Sequence, residues 1–176
     1  MIDACPDSAV LFFDVDGTLT FFDPDDMTDK DFSAVRPSRA VIEAFHRLRD
    51  AGHKAFICTG RPLWLIADSL RALEPAGIVA MAGATLEVEG RVVHEDCFDE
   101  DVIAELARRI SVAGGEALFE TNGATYSLEP VGVEQSFLLG AGVVHSVEEM
   151  RVDGRLRVGK VCLNAPNLAR VANDDG

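Results

Sequence analysis

The stretch that decides the fold runs from Ser8 to Thr18 and reads Ser-Ala-Val-Leu-Phe-Phe-Asp-Val-Asp-Gly-Thr. After Ser8 it is continuously apolar, and the apolar run ends abruptly at Asp14. Such a run is typical of a strand that is buried on both faces, as in a parallel sheet. The sequence therefore predicts a buried strand with two carboxylates, Asp14 and Asp16, at its carboxyl end.

Downstream of this strand, the pattern of apolar residues predicts two more strands and two helices. Apolar residues recur at helical spacing after Pro37 and again after Pro62, and a proline at the first helical position costs no hydrogen bond. The order β-α-β-α-β implies parallel strands whose carboxyl ends share one edge, where ligands bind in open α/β sheets. The predicted elements are a helix opened by Pro37-Ser38 and stopped by Gly52, a strand at Lys54–Cys58, a helix at Pro62–Leu73 and a strand at Gly77–Met81.

The second half of the chain has a different pattern, in which hairpins and helices are mixed. Residues 85–94 alternate apolar and polar side chains around Glu89-Gly90, which indicates a hairpin. The remaining predictions are a helix at 99–112, strands at 116–120, 125–128 and 156–163, and a short helix near Val147. We therefore expect an α/β fold: a partial Rossmann-like parallel core at residues 1–82, followed by an α+β domain at residues 83–176.

Composition narrows the classes of partner. The formal net charge is -14 over 176 residues, and so acidic a surface disfavours nucleic acid and anionic lipid as partners. The sequence shows no apolar run near the roughly 20 residues of a membrane span and no secretion signal at Met1. The four cysteines form no C-x-x-C pair, which is typical of thiols in a reducing compartment. We therefore expect a cytoplasmic protein without membrane contact.

The two aspartates suggest phosphoryl transfer. A carboxylate held at a strand end can attack phosphorus and form an aspartyl-phosphate, which is the role expected of Asp14. Asp16 could then protonate the leaving oxygen and later deprotonate the attacking water. Two acids this close cannot both be ionised cheaply unless a cation lies between them, and Mg²⁺ would also neutralise charge on the phosphoryl oxygens. Gly17 allows the turn that follows.

These residues resemble a known family. Residues 12–20 (Phe-Phe-Asp-Val-Asp-Gly-Thr-Leu-Thr) and residues 57–62 (Ile-Cys-Thr-Gly-Arg-Pro) are similar to the first and second motifs of the haloacid dehalogenase-like phosphohydrolases. The resemblance implies Asp14 as nucleophile and Asp16 as general acid and base. It also implies that Asp14 and the Asp16 main-chain carbonyl bind Mg²⁺, and that the Thr59 hydroxyl and Gly60 N–H bind phosphate. From the residues alone, Thr59 could instead cap a helix, and Arg61 could be a surface ion-pair partner or a substrate contact.

The form Thr-Gly-Arg-Pro, with a late domain beginning at Gly83-Ala84, resembles the Cof-type branch with a type IIB cap. Sugar-phosphate phosphatases and α-phosphomannomutases share that class of cap. The resemblance implies that residues 1–82 are the first half of the catalytic core and that residues 83–176 are the cap.

The chain also departs from the family pattern. The family has a later Lys and a Gly-Asp-x-x-Asn-Asp segment that supplies metal ligands, and neither form occurs here. Lys160 is the only candidate for the phosphate-binding Lys, Asp174 and Asp175 lack the context of a strand end, and Ala82 stands where the family has Asn. The chain thus resembles a family member shortened before the third and fourth motifs. A shortened chain, self-association, or a partner that covers the open sheet edge would each explain this.

Three functional hypotheses follow. The first is a Mg²⁺-dependent phosphatase of small phosphorylated metabolites, sugar phosphates foremost, acting through an aspartyl-phosphate. The second is a phosphomutase of the same superfamily. The third is a catalytically inactive binding or assembly fragment. Because the Lys and the late acidic ligands each stabilise transition-state charge, we expect weak or no turnover from these 176 residues alone.

Overall fold

The computed structural model describes residues 8–21, 35–133 and 140–172. It divides into two compact units, residues 1–95 and residues 96–176. Each unit has its own sheet and its own cluster of buried apolar side chains. The candidate ligands Asp174 and Asp175 lie outside the described residues.

The first unit is built on a five-stranded sheet in the order β1-β2-β3-β4-β5. The strands β1, β2 and β3 are parallel, as the sequence predicts, and β4 and β5 follow as an antiparallel hairpin. The prediction that β1 is buried on both faces is wrong: it is the edge strand of the described sheet, and Val10 and Phe12 are 56% and 60% exposed. Asp14 lies opposite Cys58, and Cys58 lies opposite Val79, so the three parallel strands end on one edge. The strands are β1 (Val10–Asp14), β2 (Lys54–Cys58), β3 (Gly77–Ala80), β4 (Thr85–Val88) and β5 (Arg91–Glu95).

The first helix, α1 (Arg39–Asp50), packs as its sequence predicts, but it begins two residues later than predicted, because Ser38 and not Pro37 marks its start. The Ser38 side chain accepts a hydrogen bond from the Val41 N–H at 3.3 Å, which caps the helix. Arg47 and Arg49 lie in its last turn, where cations favour the helix dipole. Phe45 is buried, and its ring centre lies 5.3 Å from that of Phe13 on β1. The apolar side of α1 therefore covers the strand that carries Asp14.

The predicted helix at Pro62–Leu73 is wrong as a continuous helix. The chain forms a 3-10 turn at Leu63–Leu65 and then only one short helix, α2 (Asp68–Arg71). Between them Ile66 and Ala67 have ψ angles of 111° and 143°, which are extended. Both side chains are buried in the core of the first unit. Packing of this pair has overridden the local helical pattern.

The structure also moves the division between the units from residue 82 to residue 95. The reason is that β4 pairs antiparallel with β3, with Ala80 opposite Thr85 and Gly77 opposite Val88. The predicted hairpin at 85–94 exists, but it extends the first sheet instead of opening the second unit. The change of pattern after Gly83 marks a switch from parallel to antiparallel pairing.

The second unit has a four-stranded sheet in the order β8-β7-β6-β9, with helices α3 and α4. Side chains from both helices and from all four strands build its core. The predicted strand at 156–163 is much shorter than expected, and β8 and α4 had no counterpart in the predictions. The elements are α3 (Glu100–Val112), β6 (Ala117–Glu120), β7 (Thr125–Leu128), β8 (Gly142–Val144), a 3-10 turn (Val147–Met150), β9 (Lys160–Cys162) and α4 (Ala165–Ala172).

None of the helices in the described ranges is long and apolar enough to cross a membrane.

The pairing of β3 with β4 depends on a glycine. A Cβ added at Gly77 would lie 2.5 Å from the main-chain oxygen of Glu87 and 2.5 Å from the Phe56 ring. We expect Gly77→Ala to destabilise the protein by about 1–3 kcal/mol, because the clash is with backbone that cannot turn aside. Gly142→Ala is the matched control, since its Cβ would meet only Tyr126 at 3.9 Å. Equal urea midpoints for the two variants would contradict this prediction.

Candidate active site

The loop after β1 is a tight turn that fixes Asp16 relative to Asp14. Val15 is fully buried, and its carbonyl accepts hydrogen bonds from the N–H groups of Leu19 at 3.0 Å and Thr20 at 2.9 Å. The Gly17 N–H donates to the Thr20 carbonyl at 2.8 Å, and Gly17 has a φ of 85°, which favours glycine. Both flanking carboxylates are exposed. The turn therefore presents Asp14 and Asp16 to solvent from a buried anchor.

The loop after β2 is tied to the end of β3. Thr59 is buried, and its N–H donates to the Val79 carbonyl at 2.9 Å. Its side-chain oxygen accepts a hydrogen bond from the Arg61 N–H at 3.2 Å, which leaves its O–H as a donor. The helical turn that follows begins after Pro62 and has no side-chain cap. The alternative role of Thr59 as a helix cap is therefore not what the structure has.

The loop after β3 has an unusual backbone conformation and is hydrogen-bonded to the loop after β2. Met81 and Ala82 have φ angles of 49° and 55°, in the left-handed region that non-glycine residues rarely adopt. The Met81 N–H donates to the Arg61 carbonyl at 2.9 Å, and the Ala82 N–H donates to the Thr59 carbonyl at 3.1 Å. Backbone strain of this kind persists only where its surroundings hold it. Here the loop after β2 holds it.

Arg61 joins the loops after β1 and β2. Its Nε donates to Oδ2 of Asp16 at 3.1 Å, and its Nη2 forms an ion pair with Oδ1 of the same carboxylate. The side chain of Arg61 is only 6% exposed, whereas that of Asp16 is 44% exposed. Of the two alternatives left by the sequence, Arg61 is thus an ion-pair partner, but a buried one. The sequence feature that indicates this ion pair is the position of Arg61, two residues after Thr59 and on the same edge of the sheet as Asp16.

The donor set at this edge fits a magnesium ion. Within the described ranges, no three His, Cys, Asp or Glu side chains come together as a ready-made metal cluster. Magnesium does not need one, since it is commonly held by one or two carboxylates together with waters and substrate phosphate oxygens. The Asp14 carboxylate is exposed. The hydrogen bonds described within this turn are accepted by the carbonyls of Val15 and Thr20, and the Asp16 carbonyl accepts none of them.

The structure brings most of the predicted site residues to one edge of the first unit. Two adjacent parallel strands carry these residues: Asp14 is the last residue of β1, Asp16 lies in the turn after it, and Thr59 and Gly60 follow directly on β2. Lys160 lies in the second unit, on β9. Whether it has any role at the phosphate site stays a prediction.

Lys160 has a partner within its own unit. Its Nζ lies 2.6 Å from Oε2 of Glu120, whose side chain is 7% exposed. Cys162 is close to both, and burial, with Glu120 adding to it, raises the pKa of its thiol. Lys160 therefore balances a buried carboxylate on the sheet of the second unit.

A model of the haloacid dehalogenase-like hydrolase family matches residues 11–164 of the chain. The chain belongs to this family. The match begins inside β1 and so includes Asp14, Asp16 and Thr59. The family resemblance carried by the two motifs is thereby confirmed.

Solved structures show the same fold. The chain superposes on the sugar phosphatase BT4131, of subclass IIB of this superfamily, with a TM-score of 0.66 and 23% identity over 93% of the chain. It superposes on BT1666 from Bacteroides thetaiotaomicron, another phosphatase of the superfamily, with a TM-score of 0.64 and 22% identity over 85% of the chain. The expected α/β core followed by an α+β unit is thereby confirmed.

A curated relative from Bacillus subtilis (strain 168), named "Putative phosphatase YkrA", is 26% identical over 103 residues, or 58% of the chain. That match covers 36% of YkrA, and the chain spans 62% of BT4131 and 54% of BT1666.

Proposed function

We propose that this protein is a Mg²⁺-dependent phosphatase of small phosphorylated metabolites, sugar phosphates foremost, that acts in the cytoplasm through an aspartyl-phosphate. The observation that carries the proposal is the exposed Asp14 at the end of β1, next to the loop that holds Thr59 and Gly60. The names of the relatives support phosphate-ester hydrolysis. The three described cysteines are free thiols, in keeping with a reducing compartment.

In the first step, an Oδ atom of Asp14 attacks phosphorus and the bond from phosphorus to the ester oxygen breaks. Asp16, in its protonated form, gives its proton to that oxygen as it leaves. The hydrogen-bonded turn around Gly17 holds the Asp16 carboxyl group in a fixed position relative to that of Asp14. The Thr59 hydroxyl and the Gly60 N–H are donors that can orient the phosphoryl oxygens.

In the second step, Asp16 is a carboxylate and takes a proton from water. The resulting oxygen attacks phosphorus, the bond to Asp14 breaks, and inorganic phosphate leaves. Mg²⁺, when bound by the Asp14 carboxylate and the Asp16 main-chain carbonyl, would neutralise charge on the phosphoryl oxygens. Asp14 and Asp16 thereby return to the state in which the cycle began.

Metal removal tests the proposal directly. We expect hydrolysis of para-nitrophenyl phosphate by the purified chain to be slow, to require added Mg²⁺ and to cease with EDTA. Turnover that is unchanged by EDTA would contradict the role of the metal.

Analysis of the products from a sugar 6-phosphate distinguishes a phosphatase from a phosphomutase. A phosphomutase would form the sugar 1-phosphate without releasing phosphate.

A binding measurement covers the case of very slow turnover. Beryllofluoride coordinates a carboxylate oxygen in place of a phosphoryl group, so it reports a competent nucleophile without catalysis. We expect a bound ¹⁹F resonance that needs both Mg²⁺ and Asp14. Its absence, together with no turnover, would favour the inactive-fragment hypothesis.

A further inference from the structure

The side chain of Arg61 is buried, and its guanidinium contacts the loop that follows β1. Its guanidinium contacts both carboxylate oxygens of Asp16, while the Asp16 side chain remains 44% exposed. A half-exposed aspartate on a loop would otherwise sample several rotamers. A guanidinium that binds both oxygens fixes the plane of the carboxyl group as well as its position.

Arg61 is itself held at both ends of its backbone. Its N–H donates to the Thr59 side-chain oxygen at 3.2 Å, and its carbonyl accepts from the Met81 N–H at 2.9 Å. The loops after β2 and β3 therefore hold the base of the Arg61 side chain. Because the support is rigid, the orientation of the Asp16 carboxyl group is set by the fold before any substrate binds.

We propose that Arg61 is a positioning residue that holds the Asp16 carboxyl group for proton transfer to the leaving oxygen. This inference rests on the proposed phosphatase function, in which Asp16 is the acid and base. A carboxyl group has about four acceptor positions, and the two bonds to Arg61 use one on each oxygen. Each oxygen therefore keeps a second position, where a proton can be carried and passed to the substrate.

If Arg61 positions the acid, the loss of rate on its removal should depend on the leaving group of the substrate. If Arg61 only stabilises the fold, the loss should not depend on the leaving group. An alkoxide is a poor leaving group and needs a proton as it departs, whereas para-nitrophenolate departs readily without one. A displaced Asp16 should therefore slow the hydrolysis of an alkyl phosphate far more than that of para-nitrophenyl phosphate. The kcat/KM values report this step, because they include only the steps up to departure of the first product.

The experiment compares Arg61→Met with the unchanged chain on a sugar 6-phosphate and on para-nitrophenyl phosphate, both with Mg²⁺. We expect kcat/KM for the sugar phosphate to fall about 10- to 100-fold, the scale of a misplaced catalytic group. We expect the aryl phosphate to change by less than about threefold, since little of its rate depends on the proton of Asp16. Arg61→Lys, which keeps the charge but not the two-pronged geometry, should recover only part of the loss.

Two further variants complete the test. In Asp16→Asn the acid is gone, so adding Arg61→Met should cause no further loss on the sugar phosphate. Arg71→Met is the matched control, because Arg71 forms an ion pair with Glu87 at 2.6 Å in the same unit, away from Asp16. It should leave the ratio of the two substrates unchanged. The bound ¹⁹F resonance of beryllofluoride should persist in Arg61→Met, which would show that the Asp14 site is intact.

The outcomes separate this inference from the function on which it rests. If the chain shows neither turnover nor beryllofluoride binding that requires Asp14, the phosphatase proposal fails and the inference fails with it. Turnover that falls equally on both substrates in Arg61→Met and Arg61→Lys would overturn the inference alone, and would assign Arg61 to fold stability or to phosphate binding. A loss confined to the alkyl substrate would support it.

Discussion

Asp14→Asn is expected to lose all hydrolysis that depends on Mg²⁺. The amide cannot form the bond to phosphorus, and the charge that attracts the metal is gone. Removal of a nucleophile costs on the order of 10⁴-fold or more, even where the rest of a site is intact. Because Asp14 is exposed at the end of β1, the free energy of unfolding of the variant should change by less than about 0.5 kcal/mol. The measurements are para-nitrophenol release, phosphate release from a sugar phosphate, and thermal unfolding.

The control for this variant is Asp50→Asn, which removes the same charge from an exposed site at the end of α1. It should leave both turnover and the ¹⁹F resonance of bound beryllofluoride unchanged. Activity that survives in Asp14→Asn would show that another group attacks phosphorus. A parallel loss in Asp50→Asn would show instead that overall charge, and not a nucleophile, controls the rate.

The sequence predicts the nucleophile loop well because its signal is local. The apolar run of β1 ends at Asp14, whose carboxylate is exposed as expected, and Gly17 permits the turn that follows. Pairing of β1 with β2 then brings Thr59 to the same edge. Each of these steps depends on a few adjacent residues, so the α/β core could be derived from the sequence.

Other features depended on contacts between distant residues and were missed. The helix predicted at 62–73 is interrupted because Ile66 and Ala67 are buried in the core, which periodicity alone does not reveal. The division at residue 95 follows from the pairing of β3 with β4, since a hairpin pattern does not state which sheet it joins. The contact of Arg61 with Asp16 spans 45 positions. Only the register of two parallel strands places such a pair together.

Lys160→Met should cause a large loss of stability. The ion pair with Glu120 would be broken, and a carboxylate whose side chain is only 7% exposed would lose its partner. Breaking a buried pair from one side costs about 3–5 kcal/mol, because the remaining charge stays desolvated. The double variant Lys160→Met with Glu120→Leu should recover most of this loss, since a buried pair can often be replaced by apolar groups at little cost. Urea unfolding of the two variants and of the unchanged chain measures both effects.

The same double variant tests the predicted phosphate-binding role of Lys160. If Lys160 serves only Glu120, restored stability should bring restored turnover, and the phosphate-binding role would be wrong. If Lys160 also binds phosphate, the double variant should be stable and yet remain slow, because a cation that balances the phosphoryl charge would be missing. Glu120→Leu alone, which keeps the lysine, controls for disturbance of β6. Stability and turnover measured together therefore distinguish a structural lysine from a catalytic one.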